Sequence, residues 1–599
     1  MSDNVKSSNQ NITLYENGKL LNDPIDVCTT FNEYYINITK DMAESDGVRE
    51  MSVPEVIEHY KDHHSIKLIH EHVAQTDQFD FTHINQHDTF KKLLKIQMNK
   101  ATGFDNISPK FLKVGANQLC YSMTPIINNC LSASIYPDLT KRAEVTPLYK
   151  KSDRLSKENY RPLSILTSTS KIFERILCDQ IHDYIDNILS PDLSAYRKSY
   201  SCNNVLVKCI EDWRKALDND EKVGCIMIDL SKAFDCLPHG LLIAKLHAYG
   251  ISSKACELIL HYLKNRKQTV KIGNLRSEWL NLKTGVPQGS IFGPLLFNIF
   301  INDFLFDLKN SCQVYNYADD NTLSFQHKDI SIIKQTLEDA SEKAIQWFSN
   351  NFMKANPSKF QAICICKDNK TIEFSIDNNI IKSEPNVKLL GINIDAKLNF
   401  KNHVSVISKK AGKQINALLR ISKQLNYESK LRIFEAFIAS NFVYCRNAYD
   451  TFTIGQDRKL EKLNERAIRL VCNDFTSPYQ ELLDKTGKRM LYVTRKTGLI
   501  IFVYKVLHNL APPVSNTFFK MQDTPYNMRD NHKLIKPVFK TIQYGKRSIA
   551  YQGAHLWNML PSYIKNIDEL SEFSNYLRAE RHVLTCECGN CILCLRNNL

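Results

Sequence analysis

The sequence lacks the features that mark secreted and membrane-spanning proteins. Residues 1–10 contain no apolar signal core, and the richest apolar stretch, residues 499–503, is far shorter than the roughly 20 residues that cross a bilayer. Glycine and proline number 19 each in 599 residues, no long tract of either occurs, and we find no internal repeat. We therefore expect an intracellular protein with no membrane contact, in which disorder is confined to the ends.

Three features that are present are informative: the length of the chain, an excess of basic over acidic residues, and a large number of cysteines. It is too long for one hydrophobic core, which predicts roughly three to five packed units in series. Lys and Arg number 78 against 64 Asp and Glu, a formal net charge of +14 that suits a polyanionic partner, although a merely basic soluble protein has the same balance. The 18 cysteines should be mostly free buried thiols in a reducing compartment.

Hydrophobic patterning divides the chain into regions of different secondary structure. The first 95 or so residues are polar except for a short amphipathic piece at residues 31–35, and we interpret them as a leader or packing arm. Helical patterns dominate residues 90–189, interrupted by a turn-rich segment, an extended run and a charged hairpin at residues 101–109, 143–149 and 150–158. Short apolar strands alternate with helices over residues 223–400, and helices then continue to about Val506.

One apolar run ends in an aspartate. Residues 223–229, VGCIMID, predict a buried strand that delivers the carboxylate of Asp229 at its C-terminal end. The segment DLSKAFD, residues 229–235, continues from it, and a helix begun by Pro238 and stopped by Gly250 follows. Asp229 is therefore expected at a strand-to-loop exit.

A second acidic site lies within residues 314–325, VYNYADDNTLSF, which predict two strands joined by a turn that Asp319 and Asp320 occupy. A solvated Asp-rich turn is the alternative, but the apolar flanks predict a partly buried tip, where adjacent carboxylates need a compensating cation. Nucleotidyl transfer needs two hard cations about 3.5–4 Å apart. Carboxylates from separate strands can hold both, so Asp229 and Asp319 are the predicted bridging pair, with Asp320 as a supporting ligand.

These motifs carry a family resemblance. YADD at residues 317–320, preceded by DLSKAFD, resembles the catalytic core of reverse transcriptases, and more closely that of non-LTR (LINE-type) retrotransposons of the jockey-like group. GVPQGS at residues 285–290, followed by GPLLFNIFIND at residues 293–303, is similar to the next motif of the family, in the same order. The resemblance covers roughly residues 95–580. It implies an RNA-directed DNA polymerase, a nucleotidyltransferase that extends a 3′-hydroxyl primer, and target priming.

The resemblance also implies a fold and a domain order. The fold is α+β, a right-hand polymerase with fingers, an α+β palm built on an antiparallel sheet backed by helices, a helical thumb and a helical C-terminal region. The expected boundaries are a leader at 1–95, fingers and palm at 96–400, the thumb at 401–480, a retroelement region at 481–580 and a Cys-rich tail at 581–599.

Further site residues follow from the resemblance. Phe234 is implied to be an aromatic gate below the incoming sugar, which rejects a 2′-hydroxyl, although a lone Phe is more often a core residue. The other implied nucleotide-binding residues are Lys150, Arg161, Gln288, Gly289 and Lys359, and the glycines of the 285–290 loop are expected to let backbone approach a base pair. A solvated charged hairpin is the alternative for Lys150 and, less strongly, for Arg161. Leu390 and Gly391 are implied to grip the primer, the main chain of Leu230 to bind metal, and His403 to be structural.

Cofactors and partners are implied in the same way. The expected cofactor is Mg²⁺, for which Mn²⁺ can substitute, and the expected partners are an RNA template, a DNA primer or target and deoxynucleoside triphosphates, in cytoplasmic ribonucleoprotein and the nucleus. Elements of this type usually encode an endonuclease ahead of the polymerase. The first 95 residues lack its size and acidic motifs, so we expect an endonuclease in trans, a fragment or a truncated copy.

The C-terminal third contains two basic amphipathic helices and a cysteine cluster. One apolar face carries Ile407, Ala411, Ile415, Leu418 and Leu419, with Lys409, Lys410, Lys413 and Arg420 elsewhere; a second helix carries Lys462, Arg466 and Arg469. Such helices suit a thumb that binds duplex phosphates, or are ordinary surface helices. Four thiols could hold Zn²⁺ or stay free, since C-x-C is tighter than the usual spacing: Cys586, Cys588, Cys591 and Cys594.

Two rival functions remain open at this stage. An RNA-directed RNA polymerase uses the same palm and metals, and the bulky Phe234 is the feature that speaks against it. A catalytically inactive retroelement remnant that binds RNA is the non-enzymatic rival, and the complete set of aspartates speaks against that.

Overall fold

The computed structural model describes residues 12–39, 46–74, 78–368, 370–449, 454–522 and 532–579. The chain divides into two compact units, each assembled from separate stretches of sequence. The first unit contains described residues up to 196 together with 229–310 and 343–356, and the second contains 197–228, 311–342 and described residues from 357 onward. Mixed helix and sheet confirms the α+β class.

The helices are α1 Pro24–Asn37, α2 Asp46–Glu50, α3 Val53–Tyr60, α4 His64–His72, α5 Gln86–Leu94, α6 Pro109–Val114, α7 Ala116–Ala133, α8 Ser168–Ile185, α9 Cys202–Asp218, α10 His239–Ala248, α11 Ser253–Leu263, α12 Gly293–Leu308, α13 Ile330–Asn350, α14 Lys401–Ile421, α15 Tyr427–Ile433, α16 Ser440–Val443, α17 Arg446–Tyr449, α18 Ile454–Cys472, α19 Tyr479–Thr486, α20 Leu491–Leu507, α21 Ile549–Asn558, α22 Ser562–Lys565 and α23 Leu570–Ala579.

The strands are β1 Leu14–Glu16, β2 Lys19–Leu21, β3 Arg142–Tyr149, β4 Tyr160–Leu166, β5 Lys222–Ile228, β6 Leu230–Ser231, β7 Lys267–Ile272, β8 Leu275–Arg276, β9 Leu280–Asn281, β10 Gln313–Tyr317, β11 Asp320–His327, β12 Lys354–Ala355, β13 Gln361–Ile365, β14 Glu373–Ile376, β15 Asn379–Lys382, β16 Asn386–Leu389 and β17 Ile392–Asp395.

A five-stranded sheet of order β4-β3-β7-β8, with β9 beside β7, organises the first unit. Helix α1 begins where the Asp23 carboxylate accepts hydrogen bonds from two first-turn amides, which would otherwise have no partner. Its apolar face covers the sheet: Phe31 is fully buried and meets the ring of Tyr160 edge-on at 5.1 Å. The amphipathic piece expected in the N-terminal segment is therefore part of a packed core.

The helices of the first unit contain a fully buried ion pair. Lys245 on α10 donates to the Asp303 carboxylate on α12 at 2.7 Å, and neither side chain is exposed. The Trp347 indole donates to the second carboxylate oxygen at 2.9 Å, so that every oxygen of this buried acid has a partner. Helix α10 runs from its Pro238 cap to the Gly250 turn, as predicted from the sequence.

The second unit is organised by an antiparallel sheet of order β10-β11-β5-β13. Helix α9 lies against it, where Trp213 donates to Ser324 at 3.0 Å. On Gly224, a Cβ would lie 2.5 Å from the Ile333 side chain and 2.7 Å from that of Leu337, so this glycine lets α13 approach the central strand. The predicted strands over 223–229 and 314–325 are confirmed.

Helices α14, α18, α20, α21 and α23 share one continuous apolar core with this sheet and with the β16–β17 hairpin. The helical region predicted beyond His403 is confirmed. All 14 cysteines in the described ranges are free thiols, most of them buried, as expected. None of the described helices has both the length and the apolarity that crossing a membrane requires.

Candidate active site

The register of the second sheet brings the end of β5 beside the β10–β11 turn. Ile228, the last residue of β5, pairs with Asn321 of β11, and Asp229 is the next residue along the chain. Tyr317 pairs with Asp320, so the turn itself consists of Ala318, with φ 56°, and Asp319. Asp320 therefore begins the second strand and does not lie in the turn, which corrects the sequence-based placement by one residue.

Two buried asparagines hold the shape of this turn. Asn316 donates to the main-chain oxygen of Ala318 at 2.8 Å and to the side-chain oxygen of Asn321 at 2.9 Å. Asn321 donates in turn to the main-chain oxygen of Asp319 at 3.2 Å. The shape of the turn is thus fixed by hydrogen bonds from asparagine side chains to its main chain and to each other.

The side chains of Asp229, Asp319 and Asp320 are exposed. The tip is partly buried, as expected, because Ala318, Asn316 and Asn321 are buried while the carboxylates of Asp319 and Asp320 are exposed. Within the described ranges, no three acidic, histidine or cysteine side chains already converge as a metal cluster. The donor set is nevertheless of the right chemistry, since carboxylate oxygens are the ligands that Mg²⁺ prefers.

Short pairing extends the chain immediately after Asp229. The main-chain oxygen of Asp229 accepts from Asn356 at 3.1 Å, and Leu230 of β6 pairs with Ala355 of β12. Leu230 itself is buried at its side chain. These pairings fix the main chain of Leu230, which was expected to contribute a metal ligand.

The 284–290 loop is clamped against the segment that follows Asp229. The amide of Val286 donates to the Phe234 carbonyl at 3.0 Å. Both glycines of the motif have positive φ and face protein backbone: a Cβ on Gly285 would lie 2.6 Å from the Asp235 carbonyl oxygen, and one on Gly289 would lie 2.3 Å from that of Ser164. In the structure the protein's own main chain fills the side-chain space of both glycines, which is a separate reason for glycine at these positions. The close approach of this loop to a base pair stays a prediction.

Hydrogen bonds fix both the main chain and the side chain of Gln288. Its main-chain carbonyl accepts from Ser164 of β4 at 2.9 Å, and its side-chain nitrogen lies 2.9 Å from each carboxylate oxygen of Asp235. Burial raises the pKa of Asp235 to about 6, an effect that the Gln288 hydrogen bonds partly offset. In the sequence Asp235 is visible only as the end of the DLSKAFD motif, and the pattern does not reveal its hydrogen-bond partner 53 residues away.

Phe234 is a half-buried ring supported by two others. It stacks on Phe297 of α12, with centroids 4.4 Å apart and planes inclined by 22°. Tyr196 meets it edge-on at 6.1 Å and 90°. Such offset-stacked and edge-to-face contacts fix a ring in one position. Phe234 is therefore rigidly held, with part of its surface open to solvent.

The remaining nucleotide-binding candidates are cations on the surface. Arg161 lies on β4 opposite Leu148, and Lys150 follows β3, where its amide donates to the Asn159 carbonyl at 2.8 Å. Both side chains are exposed, as expected of a charged hairpin. Lys359 ends a short 3-10 turn in the second unit and is also exposed.

A basic cavity of about 650 Å³ lies in the first unit, beside Gly289. Five of its lining side chains are cations: Lys92, Lys95, Lys100, Lys171 and Arg175. Its one lining carboxylate, Asp179, is already paired with Lys92. Burial lowers the pKa of Lys171, which nevertheless adds to a strongly positive local field. The sequence pattern does not reveal this group, because its members are far apart in the chain. Lys92, Lys95 and Lys100 lie on or shortly after α5, and Lys171 and Arg175 lie on α8.

The hairpin expected to grip the primer is present as β16–β17. Leu390, with φ 43°, and Gly391, with φ 85°, form its two-residue turn. The Tyr444 hydroxyl donates to the Leu390 carbonyl at 2.8 Å, and its ring lies against Gly391. His403 is buried, which lowers its pKa to about 4, and this neutral ring fits the structural role predicted for it.

The basic helices are confirmed with two corrections. Ile407, Ala411, Ile415 and Leu418 are buried on α14, and its lysines are exposed, but Leu419 is 45% exposed because it lies past the edge of the apolar face. Arg469 on α18 donates to Glu465 at 2.7 Å and to the Ser477 carbonyl at 2.9 Å. Arg469 is thus engaged within the protein. The cluster of Cys586, Cys588, Cys591 and Cys594 lies outside the described residues.

Comparison with known proteins agrees with this geometry. Residues 148–394 match the family model described as reverse transcriptase (RNA-dependent DNA polymerase). The probable RNA-directed DNA polymerase from transposon BS of Drosophila melanogaster is 24% identical over 414 residues, which are 65% of this chain and 45% of that protein. The RNA-directed DNA polymerase from mobile element jockey of Drosophila funebris is 24% identical over 397 residues, which are 63% of this chain and 42% of that protein.

The matched region thus spans less than half the length of these relatives. Within it lie the β5 exit, the β10–β11 turn, the 284–290 loop and the β16–β17 hairpin up to Ile394. Residues 148–394 therefore form a reverse transcriptase domain of the kind found in jockey-like non-LTR retrotransposons.

Proposed function

We propose that this chain is an RNA-directed DNA polymerase that extends a 3′-hydroxyl primer on an RNA template with deoxynucleoside triphosphates. The observation that carries the proposal is the sheet register of the second unit. Because Ile228 pairs with Asn321, the residue that follows β5 and the residues of the β10–β11 turn leave the same end of the sheet. The template would be retroelement RNA, and target DNA nicked by an endonuclease would supply the primer.

We assign the metal-binding role to three exposed carboxylates. Asp229 and Asp319 would bridge two Mg²⁺ ions, with Asp320 as a supporting ligand and the main chain of Leu230 as a further one. Mn²⁺ would substitute, since it accepts the same oxygen ligands. Ions held by these carboxylates would supply Lewis-acid activation of the primer 3′-hydroxyl and charge stabilisation of the leaving pyrophosphate. The chain's own part is to present the carboxylates from a turn that Asn316 and Asn321 hold rigid.

Selection of the sugar would depend on Phe234. The stacked ring of Phe297 and the edge-on ring of Tyr196 restrict the Phe234 side chain to its present conformation. A fixed ring next to the sugar leaves no room for a 2′-hydroxyl, which is the group that distinguishes a ribonucleotide. This role favours a DNA product over an RNA product.

Binding of the triphosphate would fall to exposed cations. Arg161 offers a planar pair of donors that matches phosphate oxygens, whereas Lys150 and Lys359 act as point charges. Gln288 and Gly289 belong to the loop that joins β4 through Ser164, the strand that also carries Arg161. The loop and the strand would therefore meet the nucleotide together.

Nucleic-acid strands would bind elsewhere on each unit. The Leu390–Gly391 turn would contact the primer, and the lysines of α14 would bind duplex phosphates. The basic cavity would bind template phosphates through the cations that Asp179 does not pair, and each neutralised phosphate would add affinity that depends on salt; these cations are Lys95, Lys100, Lys171 and Arg175. In a right-hand polymerase with these contacts, residues 96–400 would form the fingers and palm, and residues 401–480 would form the thumb.

Primer extension tests the proposal directly. A labelled DNA primer on an RNA template is incubated with purified protein, deoxynucleoside triphosphates and increasing Mg²⁺. We expect extension that requires Mg²⁺ and that falls at least about 100-fold in Asp319→Asn, since a lost metal ligand costs several kcal/mol of transition-state stabilisation. Asp329→Asn is the matched control, because Asp329 is an exposed acid that caps the start of α13.

The same assay separates the rival functions. Extension with ribonucleotides in preference to deoxynucleotides would indicate an RNA-directed RNA polymerase. Tight RNA binding with no extension under any metal condition would indicate an inactive RNA-binding remnant. Equal activity in Asp319→Asn and in the parent protein would contradict the metal assignment.

A further inference from the structure

The contact between Asp235 and Gln288 joins two segments that each carry a residue of the proposed nucleotide site, Phe234 and Gln288. Asp235 follows the aromatic gate residue Phe234 directly in the sequence. Thr284, at the start of the Gln288 loop, donates through its hydroxyl to the Asp235 carbonyl at 3.0 Å. This hydrogen bond fixes the main chain at Asp235 against the start of the Gln288 loop, independently of the contact between the Asp235 and Gln288 side chains. The geometry of that side-chain contact is therefore well determined.

This contact selects one orientation of the Gln288 amide. An ionised carboxylate can only accept hydrogen bonds, while a glutamine amide has an NH₂ end that donates and an oxygen end that accepts. With the Gln288 nitrogen 2.9 Å from both Asp235 oxygens, the opposite flip would place oxygen against carboxylate, which is repulsive. The amide oxygen of Gln288 is thus turned away from Asp235.

We propose that Asp235 is a positioning residue for nucleotide binding, whose carboxylate holds the amide nitrogen of Gln288 so that Gln288 meets the incoming nucleotide as a hydrogen-bond acceptor. The ligand group that it would recognise is a donor, a sugar hydroxyl or a base N–H, and not a phosphate oxygen. This inference rests on the proposed function, because it assumes that Gln288 contacts the nucleotide.

Protonation of Asp235 would release this orientation. A neutral carboxyl keeps one oxygen as an acceptor but makes the other a donor, so it can hold either flip of the amide. The titratable groups near Asp235 include the cation Lys232 on the same segment, Tyr34 and Tyr35 on α1, the neighbouring Cys236, and Lys283, which lines the same small cavity. The nearby charge of Asp235 adds to burial in raising the pKa of both tyrosines and of the cysteine thiol, so these three stay neutral between pH 5 and 8.

One histidine also faces the loop. The His239 Nε2 lies 2.8 Å from the Gly285 carbonyl oxygen. Because a histidine can titrate in the same pH range, a pH profile of the parent protein alone would not assign the effect to Asp235. The profile must be compared with that of a variant in which position 235 does not titrate.

The test is steady-state primer extension, measuring KM for the deoxynucleotide and kcat separately from pH 5 to pH 8. We expect Asp235→Ala to raise KM about 10-fold, the value of one hydrogen bond to a charged group, with kcat changed less. In the parent protein, kcat/KM should fall as pH drops through about 6. That fall should be absent in Asp235→Asn, which is isosteric and so preserves the packing.

A double-mutant cycle distinguishes positioning from a purely structural role. If Asp235 acts through Gln288, Asp235→Ala in a Gln288→Ala background should have less than about a twofold further effect on KM. Asp183→Asn, on the exposed face of α8, is the matched control and should leave both constants unchanged.

Two results would overturn the inference. One is an equal increase in KM from Asp235→Ala in both backgrounds, and the other is an Asp235→Asn variant that keeps the parent pH profile. A parent protein that extends no primer at any pH contradicts the proposed function itself, which keeps the two failures distinguishable.

Discussion

Replacing the Phe234 ring should change both the stability and the sugar selectivity of the enzyme. In Phe234→Ala, the face that stacks on Phe297 at 4.4 Å and the edge contact with Tyr196 are both lost. Phe→Ala in a full core costs about 3–5 kcal/mol. Because Phe234 is only half-buried, we expect about half of that, roughly 2 kcal/mol, in the free energy of unfolding.

The selectivity effect can be estimated from the cost of a steric clash. Forcing extra atoms into a filled space costs about 1–3 kcal/mol, which corresponds to about 5- to 150-fold in a rate ratio. The ratio of kcat/KM for a deoxynucleotide over its ribonucleotide should therefore fall by that factor in Phe234→Ala. The loss should come from faster ribonucleotide use and not from slower deoxynucleotide use alone.

The assay is primer extension with each nucleotide in separate reactions, with protein stability followed in urea. Phe234→Tyr is the control, since it keeps the ring and both ring contacts and should retain the parent selectivity. An Ala variant that folds and extends with deoxynucleotides but gains no ribonucleotide incorporation would refute the gate assignment.

Three other substitutions test the packing around the site. Asp303→Ala should lower the free energy of unfolding by about 3–5 kcal/mol in urea titrations, because it leaves the Lys245 ammonium buried without its partner. Burial raises the pKa of Asp235 to about 6, so the folded state binds the proton more tightly than the unfolded chain and its stability falls as pH rises from about 4 to 6. Asp235→Asn should then be more stable than the parent by about 1–3 kcal/mol at pH 7 and not at pH 4, which calorimetry can check. Gly289→Ala should lower the free energy of unfolding, measured by thermal denaturation, by about 1–3 kcal/mol, because φ at this position is 138° and a Cβ would clash with the Ser164 carbonyl oxygen.

The secondary structure that presents the acids could be predicted from the sequence, because local pattern determines it. Residues 223–229 form a continuous apolar run, and the acids at 319–320 interrupt two apolar runs, so a strand and a hairpin were the simplest interpretations. Their pairing in one sheet was not visible in either pattern. It depends on a register between residues almost a hundred positions apart, which packing decides.

The environment of individual side chains was harder to predict. Asp319 and Asp320 are exposed although their strands are apolar, since burial is set by what covers the turn. Arg469 has the helical spacing of a phosphate-binding residue, but Glu465 lies one turn before it and pairs with it. The amphipathic piece around Phe31 was recognised, while the sheet that it covers comes from distant parts of the chain. Contacts of this kind depend on tertiary structure, which single-sequence patterns do not encode.

Metal binding tests the central claim most directly, because it asks whether acids from the end of β5 and from the β10–β11 turn hold the same ions. Mn²⁺ bound to the protein with a chain-terminated primer, an RNA template and a deoxynucleotide can be counted by electron paramagnetic resonance. We predict two ions per protein, and a marked loss of Mn²⁺ affinity in both Asp229→Asn and Asp319→Asn, with no loss in Asp329→Asn. Unchanged Mn²⁺ binding in Asp229→Asn, alongside a loss in Asp319→Asn, would contradict a shared site.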